Sequence, residues 1–469
     1  MRQRLVDRHV WRIGVVLVGC AMHAAGAAAQ SSDAGPLMLT DAIQSAIKNY
    51  PAIKESRARA QAAEADVGVA RTAYLPRLDV LWQENRATTN NVFGVLLPQT
   101  TIFSMTGPVL GTRSLDNSVW GSAGAVLLSW EAVDFGQLRA HVDAARAQTA
   151  AATNEAALTE LDVASAAADA FLTVLAAEES VRAVRANVDR LQIFVNTVRT
   201  LVQNQLRPGA DQSRAEAELA IAKNELSQAV QLAEVARASL ADAIGAAGRS
   251  FELSTTALET LPEVTIEPAD PRNHPAARAG AAAVEVVRAR ERTLDREYYP
   301  RIMFQSTLVA RGTGAETPGV PSFGNGLWPQ VPNWGIAASV TFPAFDVFSI
   351  NARKKVEAQN EIAESARYER AMQALTTQDA KARALLKAAA EIAKNTPVER
   401  AAATQGESQA RARYQNGLAS VTEVAEAQRL LAQAEADDAV ARLGVWRALL
   451  AAAQARGDLT PFLLKLRRP

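Results

Sequence analysis

The sequence predicts an α+β membrane protein that is mostly helical. It combines long coiled-coil helices forming an α-barrel with four transmembrane β-strands per protomer, and it is built as an internal duplication. Three observations carry this reading. The stretch from Asn49 runs Asn-x-Pro, an alanine-rich charged segment and Tyr-x-Pro, with prolines at 51 and 76; the same order returns from Asn273, with prolines at 275 and 300. Each copy is followed by runs in which apolar residues alternate, the signature of strands. Each strand pair is then followed by apolar residues spaced three and four apart over many turns, the signature of a coiled-coil seam. Composition agrees: 48% of residues are hydrophobic but only 5% aromatic, because so many are alanine. Alanine has the best helix propensity and lets helices pack closely.

The first 29 residues read as a signal peptide. Arg2, Arg4, Arg8 and Arg12 precede an apolar run that ends in an Ala27-x-Ala29 cleavage pattern. Leu17 to Cys20 also resembles a lipoprotein lipobox, and Cys20 is the only cysteine. Cleavage after Ala29 leaves no cysteine; acylation at Cys20 is the alternative. No later run of 18 apolar residues provides a membrane-spanning helix.

The first repeat spans 38–248. A short helix capped by Thr40 leads into a helix opened by Pro51, since proline suits a helix first turn. It stops at Pro76, because the residue before a proline is pushed toward extended geometry. Strands follow at about 77–86 and 119–131, separated by a loop rich in Gly, Pro, Thr and Asn. The first long helix covers about 136–205, on the order of 100 Å at 1.5 Å per residue. Arg207-Pro208-Gly209 breaks it, and a return helix covers about 210–247. An irregular linker fills 249–272. The second repeat, 273–456, has strands at about 301–311 and 333–343 and long helices at about 349–414 and 420–456. Pro397 marks a local kink in the third long helix, Asn416-Gly417 ends it, and Ser420-x-x-Glu423 is a capping box that starts the return. Residues 457–469 form a C-terminal tail.

The fourth strand is the clearest. Trp334, Ile336, Ala338, Val340 and Phe342 fall on one side, with Gly335, Ala337, Ser339 and Thr341 on the other. Lipid outside and water inside a barrel require that pattern. Trp82, Trp120, Trp130 and Trp334, with Phe342, are placed as membrane-interface aromatics. Four strands cannot close a barrel, and an open sheet in lipid leaves backbone groups unpaired. Three copies supply twelve strands and a ring of helices.

Catalytic signatures are missing. The chain contains no HExxH, GxSxG, Walker A or CxxC pattern, and Gly312-Thr-Gly-Ala-Glu-Thr lacks the third glycine of a dinucleotide fingerprint. Beyond the signal peptide only His141 and His274 remain, too far apart in sequence for a metal site. No enzyme activity, cofactor or metal is expected. Lys+Arg and Asp+Glu stand at 50 each, so no basic excess points to nucleic acid.

These features together resemble the TolC-like outer-membrane efflux proteins, or outer-membrane factors. The carrying segments are "NYP…YLP" and "NHP…YYP", "LSWEAVDFG" and "VTFPAFDVF" after the second strand of each half, and "YQNGLASVTEVAEAQ" at the second turn. Their duplicated order covers about 38–456. The resemblance implies a homotrimeric exit duct in the Gram-negative outer membrane that extends into the periplasm. It implies as partners a periplasmic adaptor (membrane fusion) protein, an inner-membrane pump of RND or ABC type, and outer-membrane lipid. It places the adaptor-contacting turns at Arg207, Pro208 and Gly209 and at Asn416, Gly417 and Leu418, and the gating aperture at Asp211, Tyr414, Glu423 and Glu426. In three copies Glu423 and Glu426 would ring the mouth with carboxylates and favour cations; a solvated helix face accounts equally for Glu-x-x-Glu. The family's latching arginine, two residues after the turn glycine, is here Ala419. Arg207 or Arg413 could replace it, or the closed state is held less tightly. A periplasmic coiled-coil adaptor or scaffold shares the helical hairpins but has no use for two aromatic-flanked strand pairs.

Overall fold

The computed structural model describes residues 36–88, 118–254, 258, 261–262, 270–314 and 324–466. The signal peptide, Cys20 and most of the first strand-connecting loop lie outside them. The chain folds as α1 (Leu39–Asn49), α2 (Pro51–Thr72), β1 (Arg77–Thr88), β2 (Ser118–Val133), α3 (Gln137–Gln203) and α4 (Gly209–Ala243). The second half follows as α5 (Pro275–Arg296), β3 (Arg301–Thr313), β4 (Val331–Thr341), α6 (Asp346–Gln415), α7 (Val421–Arg456) and α8 (Thr460–Leu466).

The long helices α3 and α6 hold 67 and 70 residues, but their return helices hold only 35 and 36. The remaining length of each long helix is flanked differently. α2 packs on α3, and α5 fits between α3 and α6. At the other end α3 packs on α4 and α7, and α7 on α6. Each Asn-x-Pro…Tyr-x-Pro unit is therefore a 22-residue helix, about a third the length of its long neighbour, that completes the layer and hands the backbone to a strand.

The repeated proline motif has a second, packing role. All four long helices end with the same hydrogen-bond pattern, in which an amide beyond the end reaches back five residues: Leu206 to Leu201, Ala246 to Ala241, Leu418 to Arg413 and Asp458 to Ala453. The left-handed residue in these turns is Gln205, Gly245, Gly417 or Gly457. Gly245 touches Asn49, where a Cβ would lie 3.0 Å from its backbone; at Gly457 a Cβ would lie 2.5 Å from Pro275. Each return helix thus ends against the Asn-x-Pro motif of its own repeat.

Where these ends meet the middle of α3, the main core forms. Phe171, Leu172, Leu240, Ile244, Leu386 and Trp446 are almost wholly inaccessible there. Within the C-terminal tail, α8 places Phe462 edge-on to Trp446 at 6.0 Å. A second core near the hairpin ends gathers Leu191, Phe194, Val195, Val198, Leu219, Tyr414 and Val424.

The strands form one antiparallel sheet, ordered β1-β2-β3-β4. Val80, Val126, Leu308 and Trp334 are consecutive partners across it, as are Leu78, Leu128, Ser306 and Ile336. Directly opposed residues share a face. One face therefore carries Leu78, Val80, Trp82, Trp130, Phe304, Leu308 and Ile336. The other carries Asp79, Gln83, Asn85, Ser129, Gln305 and Thr307, with Leu81, Leu127 and Val309 among them.

Several boundaries differ from the sequence expectation. β4 covers Val331–Thr341 rather than 333–343: Pro332 is tolerated because β4 is an edge strand, and Pro343 ends it. α4 stops at Ala243, not 247, because Gly245 turns left-handed. α3 stops at Gln203, and Gly209 is the first residue of α4 rather than part of the break. The helical assignment of α6 continues through Pro397.

Candidate functional site

The two turns, 204–208 and 416–420, lie side by side at the end of the helical layer. Arg207 joins them. Its guanidinium lies 4.3 Å from the centre of the Tyr414 ring and donates to the carbonyls of Tyr414 at 2.6 Å and Ala419 at 3.5 Å. Tyr414 is 1% exposed, set edge-on to Phe194 at 5.5 Å, and its hydroxyl donates to Asp211 Oδ2 at 3.2 Å. Burial first, then the nearby Asp211 carboxylate, push its pKa up to about 12. The hydroxyl therefore stays a neutral donor. Arg207 does not pair with Asp211; it binds the backbone of the opposite turn, a task that suits its planar fork of donors.

Pro208 is the N-cap of α4 and Asn416 the C-cap of α6, with Asn416 Nδ2 donating to the Ala412 carbonyl at 2.8 Å. Ser420 and Glu423 form the expected reciprocal capping box. Glu423 also faces Arg413 at 3.6 Å, and Glu426 pairs with Arg429 at 2.7 Å. Arg413 donates to the Leu418 carbonyl at 3.2 Å. Leu418 projects outward, 69% exposed, and Leu206 matches it at 68%. Sequence reading singled out Leu418 and missed Leu206 and Gln205. The signal was available: 205–206 and 417–418 stand 212 positions apart, as do Gly245 and Gly457.

At the other end Trp82, Trp120, Trp130 and Trp334 all fall on the apolar face of the sheet. Trp82 meets Trp328 edge-on at 5.6 Å, Arg86 lies over Trp120 at 5.6 Å, and Trp130 Nε1 donates to the Tyr74 carbonyl at 3.0 Å. Trp334 and Phe342 are 76% and 69% exposed. From the β4 position level with Trp82, Pro332, to Phe342 is ten residues, about 33 Å along the strand. Tilted at about 40°, that spans roughly the 25 Å of a barrel's apolar band. The junction from β2 to α3 is fixed by the first strand–helix motif: Asp134 accepts from the Gly136 and Leu138 amides, and Phe135 stacks at 6.1 Å on Tyr299, in the second Tyr-x-Pro.

Comparison with known proteins bears on the fold as a whole. The structure is similar to the outer-membrane channel OprN (19% identity, TM-score 0.74, covering 89% of each chain). It is similar to VceC of Vibrio cholerae (17%, TM-score 0.71, 90% of this chain and 96% of that one). It is also similar to the MtrE outer membrane channel of Neisseria gonorrhoeae (21%, TM-score 0.71, 90% and 89%). No curated protein matches the sequence. The profile of the outer membrane efflux proteins matches residues 42–246 and 272–458, most of the chain and both repeats. The chain belongs to the outer membrane efflux protein family, whose members are channels of the outer membrane extending into the periplasm.

Proposed function

We propose that three copies of this chain assemble into an outer-membrane exit duct. The duct receives solutes from an inner-membrane pump of RND or ABC type through a periplasmic adaptor. It passes small toxic compounds, metals or proteins outward; the pump selects the cargo. The observation that carries this reading is the sheet. It has an apolar face, a largely polar face and two edges, β1 and β4, that pair with no further strand among the described residues. In lipid those edges need partners, and copies of the same chain supply them. The helical layer would then continue the pore for about 100 Å. The turns at 204–208 and 416–420 form the closed mouth in this reading, and exposed Leu206 and Leu418 offer the adaptor two apolar tips. An adaptor or scaffold role is disfavoured by the same sheet, whose apolar face would be costly in water.

The test is conductance of the purified protein in a planar lipid bilayer, with its mass in detergent taken in parallel. Discrete channels from a species of three chains are expected. A monomer without channel activity would overturn the duct.

A further inference from the structure

The hairpin ends carry more charge than the carboxylates alone. Residues 199–218 hold Arg199, Arg207 and Arg214 against Asp211, Glu216 and Glu218. Residues 407–429 hold Arg411, Arg413 and Arg429 against Glu407, Glu423 and Glu426. Each end is neutral, and much of the pairing is local. Arg199 meets Glu216 at 2.9 Å, Arg411 meets Glu407 at 3.8 Å, and the two outermost glutamates meet Arg413 and Arg429. Arg413 is not a freely moving cation. One arm of its guanidinium is held on the Leu418 carbonyl at 3.2 Å while the other faces Glu423. Arg207 is fixed on carbonyls and on the Tyr414 ring, and Asp211 on the Tyr414 hydroxyl, so this second pair is balanced across one side chain.

The spacing decides what a passing ion senses. Opposite charges less than 4 Å apart act as a dipole, whose field falls away within the screening length of about 8–10 Å. A ring of unpaired carboxylates would instead hold a net negative potential at the constriction and draw in cations.

We infer that Arg413, supported by Arg429, sets the ion preference of the mouth by neutralising Glu423 and Glu426 within the same chain, so that anionic solutes pass as readily as cationic ones. This rests on the duct reading and names the solute class that the duct admits. Arg413 and Arg429 are specificity residues in this account; no solute need bond to them.

The experiment is the reversal potential of the purified full-length protein in a planar bilayer under a potassium chloride gradient. Wild type is compared with Arg413→Gln, Arg429→Gln, Glu423→Gln and the double substitution Arg413→Gln/Glu423→Gln. Glutamine can replace glutamate in a capping box, so Glu423→Gln keeps the helix start. Wild type should discriminate little between the two ions. Each arginine substitution should raise the cation-to-anion permeability ratio several-fold, Glu423→Gln should lower it, and the double should return to wild type. Strong cation preference in wild type, or permeability unchanged in all variants, would overturn the inference while leaving the duct standing. Absence of channels in wild type would remove the duct and the inference together.

Discussion

Gln205 occupies a backbone conformation that its sequence counterpart, Gly417, adopts without strain: φ is 59° at one and 77° at the other. A side chain in the left-handed region costs about 1–2 kcal/mol, against about 0.5–1 kcal/mol of extra chain entropy that a glycine loses on folding. Gln205→Gly should therefore stabilise the first turn by on the order of 0.5–1 kcal/mol, read as a higher thermal midpoint; a lower one would show that the glutamine side chain contributes there. His274 makes a second residue-scale case. Its Nδ1 accepts from the Ala276 amide at 3.0 Å, capping α5, so Nε2 carries the proton and donates to the Gln454 carbonyl at 3.0 Å. Burial pulls its pKa below the ordinary 6.5, helped by Arg278 and opposed by the Gln454 carbonyl and Asp162. The unfolded chain then binds a proton that the folded chain resists. Stability from this group is complete above 6.5 and lost as pH falls below it. Asp162, raised from 3.8 by burial, acts in the opposite sense, its contribution being lost as pH rises. Comparing wild type with His274→Asn isolates the histidine: unfolding midpoints of wild type should drop below pH 6.5 and those of the variant should stay flatter. Parallel profiles would refute the assignment.

At the scale of elements, the sheet shows how register fixes chemistry. The period of a strand is two, so a slip of one residue would turn Trp334, Ile336 and Val340 to the opposite face. The observed pairing aligns them with Leu308, Val126 and Val80 on one surface. Lysine for Ile336, between the two aromatic levels, should cost about 2–4 kcal/mol of membrane insertion. Lysine for Ser339, three residues on and on the other face, should be tolerated. Folded yield in lipid vesicles separates them; equal yields would contradict the assignment of faces. The helices obey a complementary rule. α3 and α6 are about twice as long as α4 and α7, and the separate 22-residue helices α2 and α5 complete the layer.

For the whole molecule, the duplicated sequence determined a good deal on its own. Repeats, helix seams, the strand pattern and the turn capping box are local or periodic properties, and periodicity survives without knowledge of contacts. The alternation in 334–342 marked the apolar face of the sheet, and the order of motifs pointed to the family. What only the tertiary structure decided depends on residues distant in the chain. No spacing pattern indicates that Asn49 and Pro275 abut the ends of the return helices, or that α8 closes the core over Trp446. The partner of Asp211 is Tyr414 and not an arginine, while Arg207 binds backbone carbonyls. Those contacts span 203 and 207 residues. Glu423 and Glu426 were legible as carboxylates on one helix face beside the second turn, but Arg413 reaches Glu423 only because the Gly417 turn folds its helix end back. Periodic patterns are written along one element, whereas charge balance and capping between elements arise only when separate segments are brought within a few ångströms.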